Sequence, residues 1–132
     1  MQFSDVSNLV ERFTHTQAGP LGSVDFVIGV SRGGLIPAAL IATRLNKPLV
    51  AAYIDKKDRV YLDRKEWLRG KRVLLVDDIV RTGKTFSKMR ALLKKFGVRE
   101  IKSFTLFCLR SARVRPTWTT LTTRDKKMPW DF

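Results

Sequence analysis

Short runs of apolar residues, rich in valine and isoleucine, alternate along this chain with longer stretches whose apolar residues recur every three or four positions. The short runs are typical of buried strands, and the longer stretches are typical of helices with one apolar face. The stretch 85–96, for example, places Phe86, Met89 and Leu93 on one helical face and ends at Gly97. The complete pattern predicts helices over residues 4–16, 35–45 and 85–96, a turn over 17–23, and strands over 24–30, 48–54, 73–76 and 101–108.

Strands that alternate with helices predict an α/β fold, with a mainly parallel sheet flanked by helices. Ligands of such sheets bind beyond the carboxyl ends of the strands. We therefore expect the chemistry in the segments that leave strands 24–30 and 73–76. No internal repeat and no linker divides the chain, so we expect a single domain over residues 1–132 with its core at about 24–108.

The composition supports one core and excludes several kinds of site. The chain has 132 residues, of which 44% are hydrophobic, which is enough for a core without covalent staples. Its single cysteine, Cys108, and single histidine, His15, exclude an intramolecular disulfide and a zinc site of Cys and His ligands. The longest apolar stretch, 35–42, is far below the roughly 20 residues that span a bilayer. We expect a soluble, cytoplasmic protein with no membrane partner.

The charge is strongly positive and unevenly placed. Lys and Arg number 26 against 12 Asp and Glu, for a formal net charge of +14. Residues 1–50 hold four basic and three acidic residues, whereas residues 51–132 hold 22 basic and nine acidic residues. This excess is either a solvated, solubilising surface or a summed field that attracts a polyanion. The polyanion would be a multiply phosphorylated small molecule or nucleic acid.

The strongest local signal follows strand 73–76. Two adjacent acids, Asp77 and Asp78, stand at its end, and a Thr-Gly-Lys-Thr turn at 82–85 opens the next helix. Backbone N–H groups of such a turn, its hydroxyls and the positive end of the helix form a cradle for a phosphate monoester. The acids suit ribose hydroxyls or a magnesium ion, which prefers oxygen ligands. For the acid pair alone, the plainer interpretation that it ends a strand and caps a turn stays open.

A nucleoside-triphosphatase P-loop is a third interpretation of this turn, and the spacing argues against it. That motif requires a glycine five positions before Gly83, and Asp78 stands there instead.

Residues 73–85 closely resemble the phosphoribosyl-pyrophosphate signature of type I phosphoribosyltransferases, an apolar run followed by two acids, a short spacer and Thr-Gly-x-Thr. Residues 26–40 are similar to the pyrophosphate-loop region of bacterial xanthine-guanine phosphoribosyltransferases. In physical terms, the glycines there let the backbone approach an anion closely, and Arg32 supplies charge. Residues 128–131, Met-Pro-Trp-Asp, resemble a short element near the end of those enzymes. The resemblance covers about residues 24–108 and this short tail.

The resemblance implies the fold and the reaction of that family. The fold would be type I phosphoribosyltransferase-like. The reaction would be a magnesium-dependent transfer of ribose 5-phosphate from phosphoribosyl pyrophosphate to a nucleobase, with release of pyrophosphate, as in nucleotide salvage. A dimer or larger homo-oligomer is also implied.

The resemblance also assigns roles to individual residues. The connection 55–72 corresponds to a loop that is mobile in the family, closes over the site and excludes water. The alternative interpretation of this connection is a solvated surface loop. The implied catalytic residues are Asp77, Asp78 and Arg32, and both acids would contact the ribose and the metal. The residues implied for the 5′-phosphate are Arg81, Thr82, Gly83, Lys84 and Thr85, and those implied for pyrophosphate are Ser31, Arg32, Gly33 and Gly34. The implied cations of the mobile loop are Lys56, Lys57, Arg59, Arg64 and Lys65.

The residues expected to contact the base depart from the family pattern. Purine-using members usually have an Asp where Arg81 stands, and an arginine cannot act as a base near neutral pH. In the xanthine-guanine enzymes a lysine binds the exocyclic oxygen of the purine. The corresponding position in this chain falls near Leu109, with Arg110 next to it. Trp118 and Trp130 are the candidate stacking platforms. Trp118 equally suits a place in the core or in an interface.

The C-terminal region is shorter than the resemblance implies. The chain ends directly after the Pro-Trp-Asp element, so we expect a reduced hood over residues 109–132. Three functions remain open: a transferase for a different or relaxed base, a purine enzyme with rearranged contacts, or a non-catalytic regulatory protein. The regulatory protein would bind phosphoribosyl pyrophosphate or nucleotides, with RNA on its basic face. Nucleic acid is the minority interpretation, because no RNA-binding module signature is present.

Overall fold

The computed structural model describes residues 1–123 and 128–130. Its strands form a six-stranded sheet with the order β3-β2-β1-β4-β5-β6, in which β3 is antiparallel and the other pairings are parallel. The strands are β1 (Phe26–Val30), β2 (Leu49–Ile54), β3 (Val60–Leu62), β4 (Arg72–Val80), β5 (Glu100–Leu109) and β6 (Trp118–Thr123), and the helices are α1 (Phe3–Thr16), α2 (Ala18–Leu21), α3 (Leu35–Leu45) and α4 (Lys84–Lys95).

Helices cover both faces of the sheet. On one face, α1 and α3 pack through residues such as Val10 and Ile41 against the sheet. On the other face, α4 packs through Met89 and Leu93. Strand β4 contributes to the core on both faces, because successive side chains of a strand point to opposite faces. Leu74 packs on the side of α1 and α3, and Val73 and Leu75 pack on the side of α4. The predicted α/β fold, mainly parallel and flanked by helices, is confirmed.

The structure corrects the expected end of the third predicted strand. Strand β4 continues to Val80, so Asp77 and Asp78 are strand residues and do not lie in a loop. Asp77 stays in register with Thr105 of β5. Pairing with β5, which continues to Val80, keeps the backbone extended, although aspartate on its own favours turns.

Several elements were missing from the prediction. The connection 55–72 contains β3 and a 3₁₀ helix at Lys65–Trp67, and Leu68 is fully buried. The weakly patterned region after residue 108 contains β6, which pairs in parallel with β5. The predicted turn 17–23 contains the short helix α2.

The expected C-terminal hood, 109–132, lies in part outside the described residues, which omit 124–127 and 131–132. Within its described part, Met128 is buried in the same core cluster as α1 and α3. In the part of the chain that the structure describes, no helix combines the length and the apolar character needed to cross a membrane.

Candidate active site

The two motif-bearing segments meet at one edge of the sheet. Strands β1 and β4 are parallel neighbours, with Gly29 in register with Val76. Both strands therefore deliver their carboxyl ends to the same edge, where the loop 31–34 leaves β1 and the loop 81–83 leaves β4. This adjacency brings the residues predicted for pyrophosphate and those predicted for phosphate next to the acid pair.

The loop 31–34 lies directly against the acid pair. A Cβ atom added at Gly33 would overlap the carboxylate of Asp78, and one added at Gly34 would lie 2.5 Å from the carbonyl oxygen of Val76 and 2.8 Å from the Cα of Asp77. Only glycine permits this approach, because any side chain would displace the strand or the carboxylate. The peptide bond between Ser31 and Arg32 is cis. Arg32 is exposed at the tip of the loop.

The two carboxylates are partly buried and bonded to the local backbone. Asp77 Oδ1 accepts a hydrogen bond from the N–H of Asp78 at 2.8 Å, and Asp78 Oδ1 accepts one from the N–H of Ile79 at 2.8 Å. The pKa of Asp77 is raised well above its ordinary value, first by burial, then by the charge of Asp78 and by its side-chain hydrogen bond with Asp78. The pair therefore concentrates negative charge where solvent screens it poorly.

This donor set fits a magnesium ion that is shared with a ligand. The described residues contain no group of three or more His, Cys, Asp or Glu side chains that could hold a metal ion by themselves. Asp77 and Asp78 offer carboxylate oxygens, and Mg²⁺ is usually held by one or two carboxylates together with waters and substrate phosphates. A cation beside the pair would also offset the repulsion that raises the pKa of Asp77.

Beyond the acids, the chain forms a small polar cavity of about 200 Å³, lined by residues 77–86. Gly83 adopts a positive φ of 94°, and α4 begins at the next residue. The N–H of Lys84 donates to Thr82 Oγ1 at 3.2 Å, which fixes the turn. The free N–H groups of a helix N-terminus and the positive end of its dipole favour an anion here. The cavity therefore has the position and the polarity of a phosphate cradle.

A second segment holds this cradle in place. The N–H groups of Arg113 and Val114 both donate to the carbonyl oxygen of Thr82, at 3.0 and 3.3 Å. A Cβ atom at Gly83 would overlap Val114, so the two backbones are in close contact. No sequence pattern predicts this contact, because about thirty positions separate the partners and neither belongs to a periodic element. It brings the segment with Arg110, which is exposed, beside the cradle.

Comparison with known proteins identifies the family. A family model described as the phosphoribosyl transferase domain matches residues 15–132. The chain belongs to this family. The predicted recognition as a type I phosphoribosyltransferase is therefore confirmed.

Solved phosphoribosyltransferases share the fold. The crystal structure of a purine phosphoribosyltransferase from Pyrococcus horikoshii matches with a TM-score of 0.88 and 29% identity, over 100% of this chain and 92% of that one. A hypoxanthine phosphoribosyltransferase from Staphylococcus aureus has a TM-score of 0.80 over 94% of this chain and 76% of that chain. Its identity is 17%, so this second likeness concerns the fold alone.

Curated relatives include orotate phosphoribosyltransferases. Those of Brucella anthropi and Brucella ovis are 34% and 33% identical over 86 residues, which is 64% of this chain and 44% of each relative. The match thus spans less than half the length of these relatives.

In this phosphoribosyltransferase domain, the two candidate stacking residues lie in different places. Trp130 lies at the acid pair, where its indole N–H donates to Asp78 Oδ2 at 3.2 Å. Trp118 packs instead against Phe13 of α1, with ring centroids 5.4 Å apart, and Lys102 Nζ lies 5.7 Å from its ring. Trp118 therefore packs against the core, as in the alternative interpretation, and the structure corrects its prediction as a stacking platform. Trp130 keeps its candidate role.

The connection 55–72 has secondary structure and side-chain contacts of its own. The carboxylate of Asp55 binds Arg59 at 2.7 Å and closes the turn between β2 and β3. Farther along, the guanidinium of Arg64 lies 4.6 Å from the Trp67 ring, and Lys65 Nζ lies 5.6 Å from the Phe96 ring. The remaining predicted loop cations, Lys56 and Lys57, are exposed on the turn. The predicted mobility of this loop stays a prediction.

Proposed function

We propose that this domain transfers ribose 5-phosphate from magnesium phosphoribosyl pyrophosphate to a nucleobase and releases pyrophosphate. One observation carries the proposal: the loop 31–34, the acid pair and the cradle at 82–85 meet at a single sheet edge. A ligand with pyrophosphate at one end, a ribose diol in the middle and a phosphate monoester at the other end would find a complementary group at each position. Membership of the phosphoribosyl transferase domain family supports this proposal.

The mechanism follows from these positions. In the reaction, the bond between carbon 1 of the ribose and the pyrophosphate oxygen breaks, a bond from carbon 1 to a base nitrogen forms, and the proton of that nitrogen leaves to the solvent. Asp77 and Asp78 would orient the ribose through its hydroxyls and hold Mg²⁺, which would neutralise charge on the pyrophosphate. Arg32 and the backbone N–H groups of the glycine loop would stabilise the charge that develops on the leaving oxygen. The cradle would fix the far end of the substrate, so that carbon 1 is held in place.

Trp130 and Arg110 are the residues that we propose for the base. Trp130 is half-buried beside Asp78, which places an aromatic face next to the ribose site. Arg110 belongs to the segment that is bonded to Thr82, and it would donate to an oxygen of the base. Arg81 cannot supply the carboxylate on which purine-using members rely. Named relatives act on purine, hypoxanthine and orotate, so the base panel must include purines and pyrimidines.

Turnover with a base panel tests this proposal. Pyrophosphate release is measured with phosphoribosyl pyrophosphate, Mg²⁺ and each of guanine, xanthine, hypoxanthine, adenine, uracil and orotate. We expect release with at least one base, and a loss of about tenfold or more in turnover for Asp78→Asn, because a group that holds both metal and ribose is weakened. The matched control is Asp63→Asn, which removes the same charge from an exposed site on the β2–β3 hairpin.

Two results would contradict the proposal. Absence of pyrophosphate release with every base, together with calorimetric binding of magnesium phosphoribosyl pyrophosphate, would support the regulatory alternative instead. Absence of any binding of phosphoribosyl pyrophosphate at millimolar concentration would contradict both the transferase and the regulatory alternative. The cytoplasmic location, the place in nucleotide salvage and the assembly into a dimer or larger homo-oligomer are parts of the same proposal and need separate measurement.

A further inference from the structure

The turn of the β2–β3 hairpin is tied to the helix that follows the phosphate cradle. Asp58, at the tip of this turn, places its carboxylate 2.8 Å from Lys88 Nζ and 3.7 Å from Lys84 Nζ. Both lysines belong to α4, and Lys84 is its first residue. The hydrogen bond from Lys88 and the charges of the two lysines lower the pKa of Asp58, so the carboxylate is ionised at neutral pH.

This contact spans the site. In the sheet, β1 lies between β2 and β4. An ion pair from the turn that follows β2 to the helix that follows β4 must therefore pass β1, whose carboxyl end opens into the loop 31–34. The hairpin turn thus lies across the approach to the two anion-binding loops, on the side of the sheet that α4 covers.

Bonds within the turn set its shape, and Asp58 adds the ion pairs that hold its tip against α4. The Asp55–Arg59 ion pair and the bonds from the N–H groups of Lys57 and Arg59 to Asp55 Oδ1, each 2.9 Å, hold the turn together internally. Within the described residues, Asp58 is the turn residue with ion pairs to α4. It adopts a positive φ of 62°, which aspartate and asparagine tolerate better than most residues. The turn therefore keeps its shape through its own bonds, and Asp58 ties its tip to α4.

The ammonium group of Lys84 has two candidate partners, Asp58 and a phosphate in the cradle. Lys84 belongs to the Thr-Gly-Lys-Thr turn of the phosphate cradle, and its ammonium group is also the weaker of the two partners of Asp58. A phosphate dianion in the cradle carries more negative charge than one carboxylate, and it would sit at the N-terminus of α4, where the helix dipole adds to the attraction. Lys84 would turn toward the phosphate, and Asp58 would keep Lys88 alone.

We propose that Asp58 is a positioning residue which holds the turn 55–59 across the site, and that a phosphate monoester in the cradle competes for Lys84 and loosens this turn. The inference rests on the proposed function only in taking the cradle to bind phosphate. It gives the hairpin a defined response: Asp58 pairs with both lysines before phosphate binds and with Lys88 alone afterwards, so the turn is held less firmly. A less firmly held turn would let Lys56 and Lys57, which it carries, move toward the pyrophosphate side of the substrate.

The competition predicts small but measurable effects. Exposed ion pairs contribute at most about 1 kcal/mol, so removing Asp58 should tighten phosphate binding by roughly two- to fivefold. The probe is ribose 5-phosphate, titrated by calorimetry at fixed ionic strength into wild type and Asp58→Asn. Hydrogen exchange of the amides at 55–61 is followed with and without the probe. In wild type we expect faster exchange when the probe binds; in Asp58→Asn we expect fast exchange that the probe does not change.

Two controls isolate the contact. Asp63→Asn removes the same charge from the same hairpin, but Asp63 pairs with its neighbour Arg64 at 3.9 Å and not with α4, so we expect binding and exchange like those of wild type. In a Lys84→Met background, Asp58→Asn should no longer change the affinity for the probe, because the shared partner is absent.

Each outcome decides the inference. Equal affinity of wild type and Asp58→Asn for ribose 5-phosphate would overturn the inference alone and leave the proposed function standing. So would an exchange rate at 55–61 that the probe leaves unchanged in wild type. Failure of wild type to bind the probe would overturn both the competition and the phosphate cradle. An equal gain in affinity for Asp63→Asn would show that net charge, and not this contact, is responsible.

Discussion

At the scale of single residues, the acid pair combines two conflicting requirements. The role that we propose for Asp77 and Asp78 requires their carboxylates to lie close enough to hold one ligand, yet burial and the charge of Asp78 raise the pKa of Asp77. In the absence of a cation, the ionised pair therefore costs the folded chain stability. Functional sites commonly carry such strain, because the ligand relieves it when it binds.

This conflict predicts how stability depends on pH. The pKa of Asp77 is higher in the folded chain than its ordinary 3.8, so the folded state holds this proton to higher pH than the unfolded state does. The contribution of Asp77 to stability is therefore fully present below about pH 4 and is lost as the pH rises through the raised pKa. Without Mg²⁺, Asp77→Asn should raise the melting temperature at pH 7 by roughly 2–4 °C, with the difference shrinking toward pH 4.

Asparagine is the suitable substitution, because its Oδ1 can still accept the hydrogen bond from the N–H of Asp78. Melting temperature is measured across this pH range by calorimetry or circular dichroism, with and without Mg²⁺. Magnesium should stabilise wild type more than the variant. A variant that is less stable than wild type at pH 7 without Mg²⁺ would show that Asp77 does not carry this strain.

A site residue can be predicted from the sequence when it belongs to a short motif, and not when its role depends on a contact with a distant part of the chain. Gly33 and Asp78 each belong to a short motif, and the alternation of strands with helices predicted that the two motifs share one sheet edge. Trp130 was named only as a stacking candidate, and its hydrogen bond to Asp78 crosses 52 positions of the chain. The ion pairs of Asp58 with α4 are of the same kind. Such contacts depend on tertiary packing, which a periodic pattern does not encode.

At the scale of elements, the apolar pattern predicted the buried strands and the amphipathic helices and missed the edges of the sheet. Strand β6 contains four threonines among its six residues, so it shows no run of apolar side chains. Strand β3 has three residues and lies in a charge-dense segment. Edge strands are short and partly solvated, and they are therefore less apolar than central strands. Their pairing is decided by the neighbouring strand.

The segment between β3 and β4 shows what secures such a weakly patterned region. Leu68 follows the 3₁₀ helix at Lys65–Trp67 and is fully buried in the core cluster beneath α4. The segment around it is largely exposed, so one apolar side chain anchors it to the core. Leu68→Ala should lower the free energy of unfolding by about 2–5 kcal/mol, since it removes buried methyl groups and leaves a cavity.

The matched control for this anchor is Leu49→Ala, the same chemical change at a position of β2 that is 40% exposed. We expect it to cost less than about 1 kcal/mol, because little apolar area is lost from the core. Both free energies are measured by urea unfolding at equilibrium. Equal costs for the two variants would contradict the anchoring role of Leu68.

At the scale of the whole molecule, the net charge of +14 has both local and global consequences. Arg32 lies in the loop 31–34 and Lys84 begins α4, both at the carboxyl edge of the sheet where we propose that anions bind. Other cations lie far from them, such as Lys71 immediately before the first residue of β4, at the opposite edge. A summed field attracts any polyanion, whereas a site requires particular contacts. The two contributions can be separated by removing one charge at each edge.

Arg32→Ala and Lys71→Ala each remove one positive charge from an exposed side chain, so they weaken the overall field equally. The change in melting temperature on adding pyrophosphate, at constant ionic strength, reports binding; at about tenfold excess over Kd it corresponds to about 1.4 kcal/mol. We expect Arg32→Ala to lose most of this stabilisation and Lys71→Ala to keep it, because only Arg32 lies on the loop proposed to hold pyrophosphate. Equal losses would mean that the positive field alone binds the anion, and a short single-stranded RNA should then stabilise the protein as well as pyrophosphate does.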